Sequence, residues 1–143
     1  MRPSHWAAET YDTCDIAVRG QVLRACVRNL RLRSWADNFE RLEPELLDWI
    51  DTFPPDAVFY DLGASIGLFS LYAGFRGAKV YAFEPEAQNF GTLELNHFLN
   101  NETLQQPLHS FNVALSDETA VDWIHCRFYG AGEHVKIVAC LSG

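Results

Sequence analysis

One feature constrains this chain more than any other: a short apolar run enters a glycine-bearing turn and emerges as a second apolar run. Ala57-Val-Phe-Tyr-Asp-Leu hardly alternates, so it reads as a strand buried on both faces. The turn from Gly63 to Gly67 follows. Leu68-Phe-Ser-Leu-Tyr-Ala-Gly-Phe is then apolar nearly all round, the pattern of a buried helix closed by Gly77. A second strand, Lys79-Val-Tyr-Ala-Phe, ends at Glu84-Pro85. From Pro85 the chain is helical again, with Phe90, Leu93 and Phe98 expected on the inner face, and Asn100-Asn101 ends that helix. A third strand runs from about His109 to Leu115. The order β-α-β-α-β with short connections demands parallel strands and right-handed crossovers, which is half of a doubly wound α/β sheet.

Upstream, Asp15-Ile-Ala-Val and Val22-Leu-Arg-Ala-Cys-Val read as a hairpin turning at Arg19-Gly20-Gln21. Arg31 and Arg33 alternate with Leu30 and Leu32, which reads as the wet face of a strand, with an anionic-substrate patch as the alternative. Pro44 sits where a first helical turn accepts proline; Leu46, Leu47, Ile50 and Phe53 follow at helical spacing, and Pro54-Pro55 stops the helix. Residues 1–43 are thus expected to form a hairpin extension, and residues 44–143 the α/β unit.

The formal net charge is −8, the opposite of a phosphate-gripping surface, and it predicts no nucleic-acid partner. No run approaches the roughly 18 apolar residues of a membrane span, and the N-terminus lacks an apolar signal core. Cys14, Cys26, Cys126 and Cys140 show no C-x-x-C pairing. These features predict a cytoplasmic protein with free thiols and no membrane association. His97, His109, His125 and His134 have no metal-ligand spacing, and Trp6, Trp35, Trp49 and Trp123 read as packing residues. Asn96 and Asn100 read as satisfying backbone groups or capping the helix end.

The chemistry lies in Asp61-Leu62-Gly63-Ala64-Ser65-Ile66-Gly67, at the carboxyl end of the first parallel strand. A loop without Cβ bulk lets a ligand approach the backbone there. Glu84 ends the next strand, where a carboxylate accepts hydrogen bonds from ribose hydroxyls; capping the following helix is its alternative role. Together these elements indicate a nucleoside site. A dinucleotide fingerprint would need G-x-G-x-x-G, and Ser65 and Leu68 stand at its second and third glycines.

Asp-x-Gly-Ala-x-x-Gly with an acidic residue ending the next strand resembles motifs I and II of S-adenosylmethionine (SAM)-dependent methyltransferases. Glu43-Pro-Glu-Leu-Leu-Asp-Trp-Ile, Val80-Tyr-Ala-Phe-Glu-Pro-Glu-Ala-Gln-Asn-Phe, Leu93-Glu-Leu-Asn-His-Phe-Leu-Asn and Asn112-Val-Ala-Leu-Ser-Asp narrow the resemblance to the FkbM-type family. That resemblance implies a Rossmann-like class I methyltransferase fold and transfer of a methyl group to a hydroxyl of a sugar, polyketide or other small molecule. It implies that Gly63, Ala64, Ser65 and Gly67 wrap the methionine part of the cofactor, with Asp61 beneath them. Glu84 would take the ribose, Pro85 would lie beside the adenine, and Ala114 and Leu115 would form part of the adenine wall. The acceptor would be a small molecule or glycan; no catalytic base and no metal ligand is identified.

A complete sheet of this type has about seven strands. Val135-Lys-Ile-Val-Ala-Cys-Leu begins like the family's fourth strand but has Val138 and Cys140 where its carboxylates belong. The sequence therefore reads as a fragment with an incomplete sheet, active or a remnant that binds without turnover. Its first strand would form an apolar edge prone to self-association.

Overall fold

The computed structural model describes residues 11–119, 123–124, 126, 130–132 and 138–139. Expectations at Trp6, His125, His134, Cys140 and residues 135–137 lie outside them.

Two strands, β1 (Thr13–Val18) and β2 (Gln21–Cys26), pair antiparallel with Val18 opposite Gln21. Arg19 and Gly20 make the connection, both at positive φ (45° and 80°), which matches the right-handed twist of a tight hairpin. Ile16, Val18, Leu23 and Ala25 alternate onto the buried face.

Residues 30–37 depart from the expected strand. They form a helix, α1 (Leu30–Asp37), because Asn29 caps it: its side chain accepts from the Leu32 amide at 2.9 Å. Leu32 and Ala36, four residues apart, face the core, whereas Leu30 is 89% exposed. A two-residue alternation of Leu and Arg also fits a short helix burying one leucine, so the strand period was a poor guide. A short α2 (Phe39–Leu42) leads to α3 (Pro44–Asp51), which carries Pro44 in its first turn. Asp51 ends α3 in a polar cluster. It pairs with Arg19 at 2.7 Å and Arg76 at 3.0 Å, and accepts from the Tyr72 hydroxyl at 2.6 Å. The hairpin turn and α3 are thereby tied to the same point.

The central unit follows the expected order. Strands β3 (Val58–Leu62), β4 (Lys79–Phe83) and β5 (Leu108–Phe111) form a parallel sheet in the order β3-β4-β5. Phe59 lies opposite Val80, and Val80 opposite Leu108. Helix α4 (Leu68–Phe75) joins β3 to β4, and α5 (Ala87–Asn100) joins β4 to β5. Two right-handed crossovers running the same way put both helices on one face. Phe59, Val80, Ala82 and Leu108 point to that face and are buried with Leu71, Tyr72 and Phe75 of α4. The opposite face carries a ladder of stacked rings, Tyr60–Tyr81–His109 and Phe83–Phe111.

This arrangement corrects the reading of β3 as buried on both faces, since Val58, Tyr60 and Leu62 are exposed. Among the described residues β3 pairs with β4 alone. Of the segment 135–141, which begins like the family's fourth strand, the described residues Val138 and Ala139 form β7 (Val138–Ala139), which pairs antiparallel with β6 (Trp123–Ile124).

The inner face of α5 also differs from expectation. Phe98 is 78% exposed, and Asn89, Thr92, Asn96 and Asn100 turn inward with Leu93. The reason is the free edge of β2. The Cys26 amide donates to Asn96 Oδ1 and the Arg24 amide to Asn100 Oδ1, both at 2.8 Å. Asn100 Nδ2 donates back to the Arg24 carbonyl at 2.7 Å. Alternate residues of a strand edge thus meet residues four apart on a helix, and side-chain amides do the work of a neighbouring strand. No described helix is long and apolar enough to cross a membrane.

Candidate functional site

The loop between β3 and α4 is built around three residues at positive φ: Gly63 (81°), Ser65 (53°) and Gly67 (81°). The Gly63 and Ala64 amides donate to the Phe83 carbonyl at 2.8 and 3.0 Å, which continues the sheet one step past β3. Gly67 is a packing requirement: a Cβ there would stand 2.9 Å from Leu93 Cγ of α5. Gly63 is different, since a Cβ at that position meets nothing within 4 Å. The space over its backbone is open. Ser65 adopts a conformation that costs a non-glycine residue about 1 kcal/mol, and it is held there by Glu84.

The Ser65 amide donates to Glu84 Oε2 at 2.8 Å, and the Glu86 amide donates to Glu84 Oε1 at 2.8 Å. Glu84 is 4% exposed; burial raises its pKa, and these two amide bonds with a side-chain bond from Asn89 act against that rise. The carboxylate is thus a latch between the glycine loop and the start of α5. Capping of α5 falls to Glu86, whose side chain accepts from the Gln88 and Asn89 amides at 3.0 and 2.7 Å. Asn112 Nδ2 donates to the carbonyls of Glu84 and Pro85, at 2.8 and 3.0 Å, and fixes the turn from the other side.

Asp61 sits at the end of β3 and accepts from the Ser70 hydroxyl at 2.5 Å. Burial lifts its pKa above the ordinary carboxyl range; the Ser70 bond opposes this, and the nearby Glu43 carboxylate adds to it. A carboxyl whose pKa is raised on folding contributes stability below its unfolded pKa, and that contribution is lost as pH rises through the folded value. Asp61→Asn keeps the acceptor for Ser70 without the buried charge. It is expected to raise Tm by roughly 2–4 °C near pH 7, an advantage that vanishes near pH 3. Thermal melts of the two proteins across that range check it.

Asp61 and the loop to Ile66 line a cavity of about 350 Å³. Its remaining lining comes from Trp35, Leu42, Glu43 and Leu46 of the N-terminal helical region, with Leu68 and Phe69 of α4. Of the residues expected from sequence, Asp61, Gly63, Ala64 and Ser65 meet at this cavity. Gly67, Glu84 and Pro85 are outside its lining, with Glu84 joined to it through the Ser65 amide, and Ala114 and Leu115 are exposed beyond the end of β5. The sequence reading missed Glu43 and the cavity role of Trp35, because no spacing within α1–α3 announces which residues reach the loop.

No protein-family model matches the chain. A 45-residue stretch, 30% of the chain, is 58% identical to the AMB antimetabolite synthetase AmbE of Pseudomonas aeruginosa and spans 2% of it. Among solved structures, a SAM-dependent methyltransferase from Agrobacterium tumefaciens is similar, with a TM-score of 0.51 and 17% identity. That likeness covers 74% of this chain and 33% of the other. The fold is that of a Rossmann-like class I methyltransferase. Further similar structures are P. horikoshii TYW2 in complex with MeSAdo (TM-score 0.49, 21% identity, 73% of this chain and 37% of that one) and the M. jannaschii tRNA m1G37 methyltransferase (0.45, 18%, 74% and 31%). The chain spans about a third of the length of these structures.

Two expectations are corrected. The FkbM-type resemblance does not hold: no protein-family model matches the chain, and the likeness to the Agrobacterium methyltransferase, at 17% identity, shows the fold alone. Asp61-x-Gly-Ala and Glu84 meet the needs of a strand-loop-helix junction and a latch, so they mark the fold without marking a family within it. The exclusion of a nucleic-acid partner is likewise withdrawn, because it rested on the net charge of −8 alone. Net charge describes a whole surface, whereas an acceptor is chosen by a local one.

Proposed function

We propose that this chain builds the SAM-binding part of a methyltransferase. The observation that carries the proposal is the cavity floored by the loop from Asp61 to Ile66, at the carboxyl end of β3, where open α/β sheets hold ligands. Its volume of about 350 Å³ is that of a small-molecule site. The open space over Gly63 is what a ligand lying against the backbone requires.

In this reading Gly63, Ala64 and Ser65 lie along the methionine part of the cofactor and Asp61 faces its ammonium group. Gly67 sets the turn into α4. Glu84 takes the ribose with the lone pairs that its amide bonds leave free, Pro85 lies beside the adenine, and Ala114 and Leu115 close over it. When bound, the cofactor supplies a methyl group on a sulfonium leaving group. The protein's part is then mainly in-line positioning of the acceptor. Transfer to a hydroxyl oxygen is the finer form of the proposal, with a proton acceptor assisting.

Calorimetric titration of the chain with S-adenosylhomocysteine tests the proposal, with Gly63→Ala as the control. Saturable binding is the expected result, weakened at least about tenfold in Gly63→Ala, where the added Cβ both covers the loop and strains a backbone held at φ 81°. Absence of binding by a folded chain would leave a class I fold without its ligand. Binding without methylation of any offered acceptor would favour a non-catalytic binding unit.

A further inference from the structure

We propose that Glu43 is a positioning residue that selects the cationic, methyl-bearing form of the cofactor over the demethylated product. This inference rests on the SAM reading above and assigns to that site a residue from outside the glycine loop. Glu43 and Asp61 come from different elements, the start of α3 and the end of β3, yet they line one cavity. The side chains around them, Trp35, Leu42, Leu46 and Phe69, are apolar or aromatic, and no described Lys or Arg lines the space.

Glu43 occupies the N-cap position of α3, at φ −144° and ψ 72°, but its side chain makes no capping hydrogen bond. The Glu86 carboxylate at the same position of α5 accepts from two helix amides; that of Glu43 accepts from none. This one is left free of its own helix, on the cavity rim. Its charge is close enough to act on Asp61, where it adds to the effect of burial. In the same lining, Ser65 Oγ is buried without a hydrogen-bond partner, a polar atom left for something the protein does not supply.

Two like charges on an apolar-walled space repel one another, and a cation between them relieves the repulsion. SAM brings two cationic groups, an ammonium and a sulfonium; after methyl transfer only the ammonium remains. A single carboxylate, Asp61, answers the group common to both forms. The second, Glu43, answers the charge that the reaction removes. Its consequence is a weaker hold on product than on substrate, which favours release after each transfer.

The test compares three probes by calorimetry on the full chain and on Glu43→Gln: SAM, the amine analogue sinefungin, which also carries an extra positive charge, and S-adenosylhomocysteine. Glu43 is exposed, so its effect is screened, and the expected loss for SAM and sinefungin is about three- to tenfold. S-adenosylhomocysteine should change less than about twofold, which also shows that the variant is folded. Raising the salt concentration should shrink the difference between probes in the parent protein and leave the variant nearly unchanged. An equal loss for all three probes would make Glu43 a shape element and overturn the inference, as would no loss for any. If the parent protein binds S-adenosylhomocysteine but does not distinguish it from SAM, this inference alone falls. If it binds none of the probes, the cofactor reading falls and takes the inference with it.

Discussion

Asn96→Ala is expected to cost about 2–4 kcal/mol of folding stability. The side chain is fully buried in α5 and joins three parts of the chain. Its Oδ1 accepts from the Cys26 amide of β2 at 2.8 Å, and its Nδ2 donates to the Ile66 carbonyl of the glycine loop at 2.8 Å. Truncation leaves a buried amide and a buried carbonyl without partners, each costing about 1–3 kcal/mol, and adds a small cavity. Asn96→Asp can still accept from Cys26, but it offers no donor to Ile66 while ionised and is expected to be no better. Urea denaturation of both variants decides the matter; a loss below about 1 kcal/mol in Asn96→Ala, at unchanged m-value, would show that water or a neighbouring group takes over these bonds.

Glu84→Ala is expected to act more on the site than on the fold. The variant releases the Ser65 and Glu86 amides and with them the strained Ser65 backbone. It also removes a carboxylate whose burial is itself unfavourable. The two effects oppose, so a stability loss of only about 1–3 kcal/mol follows. Cofactor affinity should fall much further, by about thirtyfold or more, because the variant loses both the loop geometry and the ribose acceptor assigned to Glu84. Glu84→Gln retains one acceptor oxygen and should lie between the two. Titration with S-adenosylhomocysteine beside a urea melt separates the terms. Affinity within about threefold of the parent in a destabilised Glu84→Ala would confine Glu84 to the latch and remove it from the ribose.

Much of this architecture was legible in the sequence, for local reasons. The β-α-β-α-β order, the turn at Arg19-Gly20, the proline at the start of α3 and the glycine turn after β3 each follow from hydrophobic period or from the conformational limits of glycine and proline. For Asn96 and Asn100 the sequence leaves two structural roles, satisfying backbone groups or capping the helix end, and the structure shows the first. What failed depended on which surfaces meet. An aromatic run such as Val58-Phe-Tyr-Asp-Leu does not reveal that both crossover helices lie on one side, leaving Tyr60 and Leu62 exposed. A helix with Phe90 and Phe98 does not announce that it will turn its asparagines inward to close the edge of β2.

The same division runs through the site. Local sequence placed the loop from Asp61 to Gly67 and the acid at Glu84, because a strand-loop-helix junction needs small residues at positive φ wherever it occurs. Only the tertiary structure made Glu84 a latch with both oxygens on backbone amides, and only it brought Glu43 and Trp35 to the cavity that Asp61 begins. The physical reason is range: backbone conformation is set by a few neighbouring residues, whereas burial, charge pairing and cavity shape depend on segments far apart in sequence.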